Sequence, residues 1–171
     1  MVLKSTVTIG YNTLLCLSAS VMSNELRPEF WKHYALTELS PAEWEALCDG
    51  CGLCCLVKLE DEESQEVAYT KVACKLLDCQ TASCRDYPNR KQHVPDCIQL
   101  TPELLDTIHW LPPSCAYRRL HEGKNLPRWH YLNTGSRQSI LKAKKSAAGR
   151  CISEEDIQDN DIEDYIVRWV R

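Results

Sequence analysis

Cys48-Asp49-Gly50-Cys51-Gly52-Leu53-Cys54-Cys55 places four thiols within eight residues, with two glycines among them. A thiolate is a soft, negatively charged donor, and several held together take up a metal ion or an iron–sulfur cluster. Two residues between Cys48 and Cys51 allow a tight turn that aims both sulfurs at one centre, and Cys54 repeats the spacing. Gly50 and Gly52 put no side chain in the way of the turn. Their backbone N–H groups are free to stabilise charge on sulfur. The adjacent pair Cys54-Cys55 departs from simple finger patterns. On an extended backbone the two side chains point to opposite faces. They then serve two nearby sites, or one ligates and the other packs.

Just upstream, Ser40-Pro41-Ala42-Glu43 is a helix start. Ser40 caps, Pro41 suits the first helical position, Glu43 completes the capping box, and Leu39 and Trp44 occupy the staple positions. This short helix delivers Cys48 at or near its end. Between Asn24 and Leu36, Phe30, Trp31 and Tyr34 mark an amphipathic segment lying on the core.

Downstream, Leu56–Leu59 and Val67–Ala73 are apolar, partly alternating runs around an acidic stretch, which predicts a β-hairpin. Its midpoint falls at Ser64 and Gln65, so the fold brings Cys74 beside Cys55. From Cys74 to Cys97 the chain is rich in thiols and reads as loops held by ligation. Thr101-Pro102-Glu103 predicts another helix, ended by Pro112-Pro113. Ser114 is expected to cap a third through Cys115, Tyr117 and Leu120, stopped by Gly123. Arg137 to Arg150 is a basic stretch, read as an exposed face or loop. Ser153 is expected to open a final helix with Ile162, Tyr165, Ile166 and Trp169 as its apolar stripe.

The 171 residues suit one domain, and 44% hydrophobic residues suffice for a core. One Phe stands against eleven Cys, so part of the interior is sulfur rather than aromatic. A net charge of −4 argues against sequence-independent nucleic-acid binding, which needs a basic surface. No apolar run approaches the ~20 residues of a membrane span. The segment 1–21 loosely imitates an export signal, but Gly10, Tyr11, Asn12 and Thr13 interrupt its apolar stretch. It is read as an N-terminal extension, with one cysteine-rich domain over 22–171. The compartment expected is a reducing cytoplasm, where clustered cysteines are ligands rather than disulfides.

Several of these blocks carry a resemblance. Cys48-x2-Cys51-x2-Cys54-Cys55, then Cys74, then Cys84-Arg85-Asp86-Tyr87-Pro88-Asn89-Arg90, then Cys97 resembles the CxxCxxCC family of bacterial zinc- or iron-chelating proteins. Phe30-Trp31, Trp110-Leu111-Pro112, Cys115-Ala116-Tyr117-Arg118 and Trp129-His130 are similar to the YcgN-like subgroup in particular. The resemblance covers the chain from about Asn24. It implies metal chelation and brings with it no agreed reaction. The matched thiols are Cys48, Cys51, Cys54, Cys55, Cys74, Cys84, Cys97 and Cys115. They suffice for two four-thiolate centres, or for one cluster with spare cysteines. Tyr87 and Arg90 are placed beside the ligands, Arg90 offsetting thiolate charge. Cys16, Cys79 and Cys151 stand outside the pattern and read as small buried hydrophobes. His33, His93, His109, His121 and His130 read as surface or packing residues, with His93 held as a reserve ligand.

The sequence thus predicts a small cysteine-rich α+β domain, short helices around a β-hairpin and irregular metal-binding loops. Its expected partner is a metal ion: zinc or iron, the latter including an iron–sulfur cluster. Two other functions stay open. One is an iron–sulfur enzyme or electron carrier, which needs an open position or a redox-active cluster. The other is a thiol–disulfide or disulfide-scaffold protein, for which Cys48-x-x-Cys51 lacks the usual βαβ context.

Overall fold

A computed structural model describes residues 25–157 and 162–170; the expected extension at 1–21 lies outside them. The described chain is α+β, with short helices and small sheets. Its elements are α1 (Phe30–His33), α2 (Pro41–Ala46), β1 (Leu56–Glu60), β2 (Val67–Ala73), β3 (Leu77–Asp78), β4 (Ser83–Cys84), α3 (Arg90–His93), α4 (Ala116–His121), α5 (Tyr131–Thr134), α6 (Ser139–Lys142), β5 (Ile152–Ser153) and β6 (Ile166–Val167).

The capping chemistry of α2 is as the sequence predicts. Ser40 Oγ accepts from the Glu43 N–H at 3.2 Å, and a Glu43 carboxylate oxygen accepts from the Ser40 N–H at 2.9 Å. Glu43 does a second job. It takes the Arg27 backbone N–H at 3.1 Å and the Arg27 guanidinium at 2.7 and 2.6 Å. Only 1% of Glu43 is exposed, so the paired charge ties the entering chain to the helix that precedes Cys48.

β1 and β2 form the expected antiparallel hairpin, with Leu56 opposite Ala73 and Glu60 opposite Val67. Immediately beyond the paired ends, the Cys74 N–H donates to the Cys55 carbonyl at 2.9 Å. The hairpin is the centre of a larger sheet. β5 pairs with β2 in parallel, Val72 opposite Ile152, and β6 pairs antiparallel to it, Tyr69 opposite Val167. β3 and β4 make a separate small hairpin inside the thiol-rich stretch.

Several predicted helices are shorter than expected or differently placed. After Pro102 there is one 3-10 turn, Glu103–Asp106. α4 starts one residue later than expected: Cys115, not Ser114, is its cap, and no side chain closes that end. Ser153 does cap, accepting from the Glu155 N–H at 3.3 Å, but it caps a single 3-10 turn at Glu154–Asp156. The expected apolar stripe is divided: Ile162–Tyr165 is another 3-10 turn, and Ile166 begins β6. Pairing with the exposed edge of β2 satisfies these backbone groups, and periodicity alone does not report that edge.

Two apolar clusters organise the interior. One gathers Phe30, Leu47, Leu105, Leu111, Ala116, Tyr117 and Leu126 around α2 and α4. The other gathers Leu53, Leu56, Tyr69, Ala73, Leu77, Ala82 and Ala147 on the sheet side. Between them lies a cavity whose wall includes Leu47, Leu111 and Tyr117 from the first and Leu77 from the second. Among the described residues no helix is long and apolar enough to cross a membrane.

Candidate metal centre

The cavity between the clusters, about 360 Å³, is lined by Cys48, Cys51, Cys54, Cys55, Cys74, Cys84, Cys97 and Cys115. All eight thiols singled out from the sequence therefore face one space. Cys79 and Cys151 are the other described cysteines, and neither lines it.

Each thiol arrives for a local reason. α2 ends at Ala46, and the chain turns through Asp49, whose carboxylate accepts the Cys51 N–H at 3.1 Å. Gly52 then adopts φ +71°, a left-handed conformation that costs an L-residue about 1–2 kcal/mol. A Cβ at Gly52 would lie 2.9 Å from the Ala82 Cβ and 3.4 Å from that of Ala147. The turn is thus pressed between the β3–β4 hairpin and the 146–148 segment, and the Ala147 N–H donates to the Cys51 carbonyl at 2.8 Å. The hairpin supplies Cys74, and β4 ends on Cys84. The Cys97 N–H closes a turn on the Val94 carbonyl at 3.0 Å. Cys115 stands at the start of α4.

The adjacent pair behaves differently from the extended-strand expectation. Leu53–Cys55 is a 3-10 turn, so successive side chains are not thrown to opposite faces. The Cys54 and Cys55 sulfurs are 3.9 Å apart, and both line the cavity.

Aromatic side chains frame this space. The Trp44 indole donates to the Leu100 carbonyl at 3.0 Å, and the Tyr117 hydroxyl donates to the Trp44 carbonyl at 2.9 Å. The two rings lie 4.7 Å apart. Tyr87 reaches Glu45 at 2.8 Å, and the Arg90 guanidinium stacks over the Tyr87 ring at 3.9 Å. Both Tyr87 and Arg90 line the cavity alongside the cysteines. His93 does not: its ring lies 3.1 Å from an Asp86 carboxylate oxygen on the surface. His130 is a packing residue. It is fully buried, its Nε2–H donates to the Leu47 carbonyl at 3.0 Å, and its Nδ1 accepts from the Leu132 N–H at 3.2 Å.

Lys58 was missed in the sequence. Its ammonium donates to the carbonyls of Cys54 and Leu56 at 2.8 and 2.6 Å and sits 4.6 Å from the Trp110 ring centre. Burial lowers its pKa, while Cys54, Cys55 and Cys51 pull the other way. Only its place on β1, three residues past Cys55, marks it in the sequence.

The electrostatics hold most of these thiols in their protonated form. Burial pushes the Cys48 and Cys115 thiols up to about 12 and raises Cys51 and Cys74 as well. Cys54 goes the other way, to about 7, because it accepts the hydrogen bond of Cys55 and feels Lys58; Cys55, the donor, is raised. Cys48 and Cys54 do expose surface, but both line the cavity, where protein surrounds them. Ionising such thiols together demands a compensating positive ion. The donor set, sulfur throughout with Asp49 and Asp96 at its margin, fits zinc or iron. Among the described residues no three potential ligands already close on one ion-sized point. The thiols stand around a wider chamber.

A chamber walled by clustered cysteines defines a class of protein. Residues 47–116 match the CxxCxxCC family model, described as a "putative zinc- or iron-chelating domain". The chain is 55% identical over 138 residues to a UPF0260 protein of Pseudomonas entomophila (strain L48), covering 81% of this chain and 93% of that protein. It is 56% identical over 140 residues to a UPF0260 protein of Allorhizobium ampelinum (strain S4), covering 82% of this chain and 88% of that protein. The chain belongs to the UPF0260 proteins of the CxxCxxCC family. No solved structure matches it.

Proposed function

We propose that this protein is a metal chelator that uses the thiolates of Cys48, Cys51, Cys54, Cys55, Cys74, Cys84, Cys97 and Cys115 in the cavity, and that of the two candidate metals, zinc and iron, it holds iron, as a multi-atom iron–sulfur cluster. The observation that carries the reading is the convergence of these eight thiols, drawn from 68 residues of chain, on one cavity. A single tetrahedral ion uses four sulfurs at about 2.3 Å. Eight thiols spread around about 360 Å³ suit a larger occupant. An iron–sulfur centre supplies one-electron chemistry when bound. The chain's own residues supply the rest. Trp44, Trp110 and Tyr117 exclude water, and Lys58 and Arg90 offset the negative charge of the sulfur shell. A reducing cytoplasm is the setting in which such thiols stay available.

Metal analysis of anaerobically purified protein tests this. The expected result is a visible absorption band with iron and acid-labile sulfide in fixed ratio to protein. A colourless protein with stoichiometric zinc keeps the thiolate site and overturns the cluster. A folded, metal-free protein that takes up neither metal overturns both. Cys51→Ser is expected to lower metal content and Cys79→Ser to leave it unchanged. Thiol titration after unfolding and metal removal addresses the disulfide alternative, since nearly no reactive thiols would favour a scaffold.

A further inference from the structure

Cys79 and Cys151 lie apart from the metal cavity, yet they are neighbours. Cys79 follows β3, and Cys151 precedes β5, which pairs with β2. The Gly149 N–H donates to the Cys79 carbonyl at 2.7 Å, which holds the two segments together two residues before Cys151. Burial, and after it the adjacent Cys79 side chain, raises the Cys151 thiol. Both pack against the sheet-side apolar cluster, and both are half-buried, so a small reagent can reach them.

We propose that Cys79 and Cys151 form an oxidisable dithiol, a site independent of the metal centre, whose co-substrate is a small-molecule disulfide. The proposal does not rest on metal binding. The Cys79 sulfur, as thiolate, attacks one sulfur of the disulfide RSSR, giving a protein–S–S–R mixed disulfide and releasing RS⁻, which takes up a proton as RSH. The Cys151 sulfur then attacks the Cys79 sulfur and displaces the second RSH, to which its own proton passes. The protein loses two hydrogens and two electrons, and the co-substrate becomes two thiols.

The bond would join the β3–β4 hairpin to the strand that completes the main sheet. The same hairpin carries Cys84 into the cavity and presses Ala82 against Gly52. Oxidation at this pair would therefore lock the frame around the thiol chamber without using any of its ligands.

The test uses the full chain as isolated, treated with oxidised glutathione, alkylated and mapped by peptide mass spectrometry. The expected result is a peptide joining Cys79 to Cys151, two hydrogens lighter than the reduced pair, with the loss of two alkylatable thiols that dithiothreitol restores. In Cys151→Ser the link is lost and Cys79 carries one glutathione. Full alkylation of both cysteines under conditions that oxidise other thiols of the chain would overturn the proposal. So would a bond from Cys79 to a cavity cysteine. Because the readout is covalent mapping, it stands whether or not the protein carries metal.

Discussion

At Gly52, backbone conformation and close packing act on one residue. Gly50 also has φ +72°, but a Cβ there meets nothing within 4 Å. Gly50→Ala should therefore cost only the left-handed conformation, about 1–2 kcal/mol. Gly52→Ala adds the contact with Ala82 and should cost roughly 1–3 kcal/mol more. Urea unfolding of the two variants side by side checks the difference. Lys58 is the second residue whose role is local. Lys58→Met keeps the length and removes the charge. It is expected to weaken metal retention about 10- to 100-fold in a chelator competition, with Lys58→Arg recovering much of it. Equal retention in all three proteins would show that the ammonium serves only the Cys54 and Leu56 carbonyls.

Among the elements, α2 offers the sharpest pH dependence. Hydrogen bonding from the Arg27 side chain, against the cost of burial, holds the Glu43 carboxyl at about 2, below its ordinary 4.5. A depressed acid contributes stability that is present above the ordinary value and is lost as pH falls from about 4.5 to about 2. Acid titration of the folded protein should show a transition in that window, and Glu43→Gln should flatten it. The variant should also cost about 1–3 kcal/mol at neutral pH, because it weakens the capping box and leaves Arg27 without its counter-charge. This helix was readable residue by residue, since a capping box is a local bargain between a side chain and the nearest N–H groups. The hairpin was readable too, with Cys74 back beside Cys55, although counting along two short runs does not give the register shift between Leu56 and Lys58. The final segment was not. Its apolar stripe at 162–169 is compatible with a helix, and it becomes a turn and strand only because β2 has an edge to fill. The adjacent cysteines show the same limit at finer grain: a 3-10 turn after Gly52 places both sulfurs on the cavity.

For the whole molecule, metal and fold are expected to be coupled. Between Cys74 and Cys97 the regular structure is two-residue strands and one short helix, held to the rest by a few hydrogen bonds such as Gly149 to Cys79 and Tyr87 to Glu45, so ligation is expected to add much of its order. Chelation should speed amide exchange there at least tenfold while β1 and β2 keep their protection; hydrogen exchange with mass spectrometry reads both at once. Metal uptake should also release protons. The raised thiols at Cys48, Cys51 and Cys115 hold theirs at neutral pH, so affinity must fall as pH falls. Calorimetric titration in buffers of different ionisation heat gives the proton count.

Residue spacing was enough to single out Cys48, Cys51 and Cys54, to place the capped helix before them and to bring Cys74 back beside Cys55, because each depends on contacts a few residues apart or on a single turn; Cys84, Cys97 and Cys115 came from the resemblance. Spatial packing added what spacing does not contain. It brought Cys84, Cys97 and Cys115 to the same wall, set Lys58 among the sulfurs and left Cys79 and Cys151 on adjoining segments outside it. Those outcomes depend on how two apolar clusters and a four-stranded sheet close around a common space, and no local pattern records the shape of that closure.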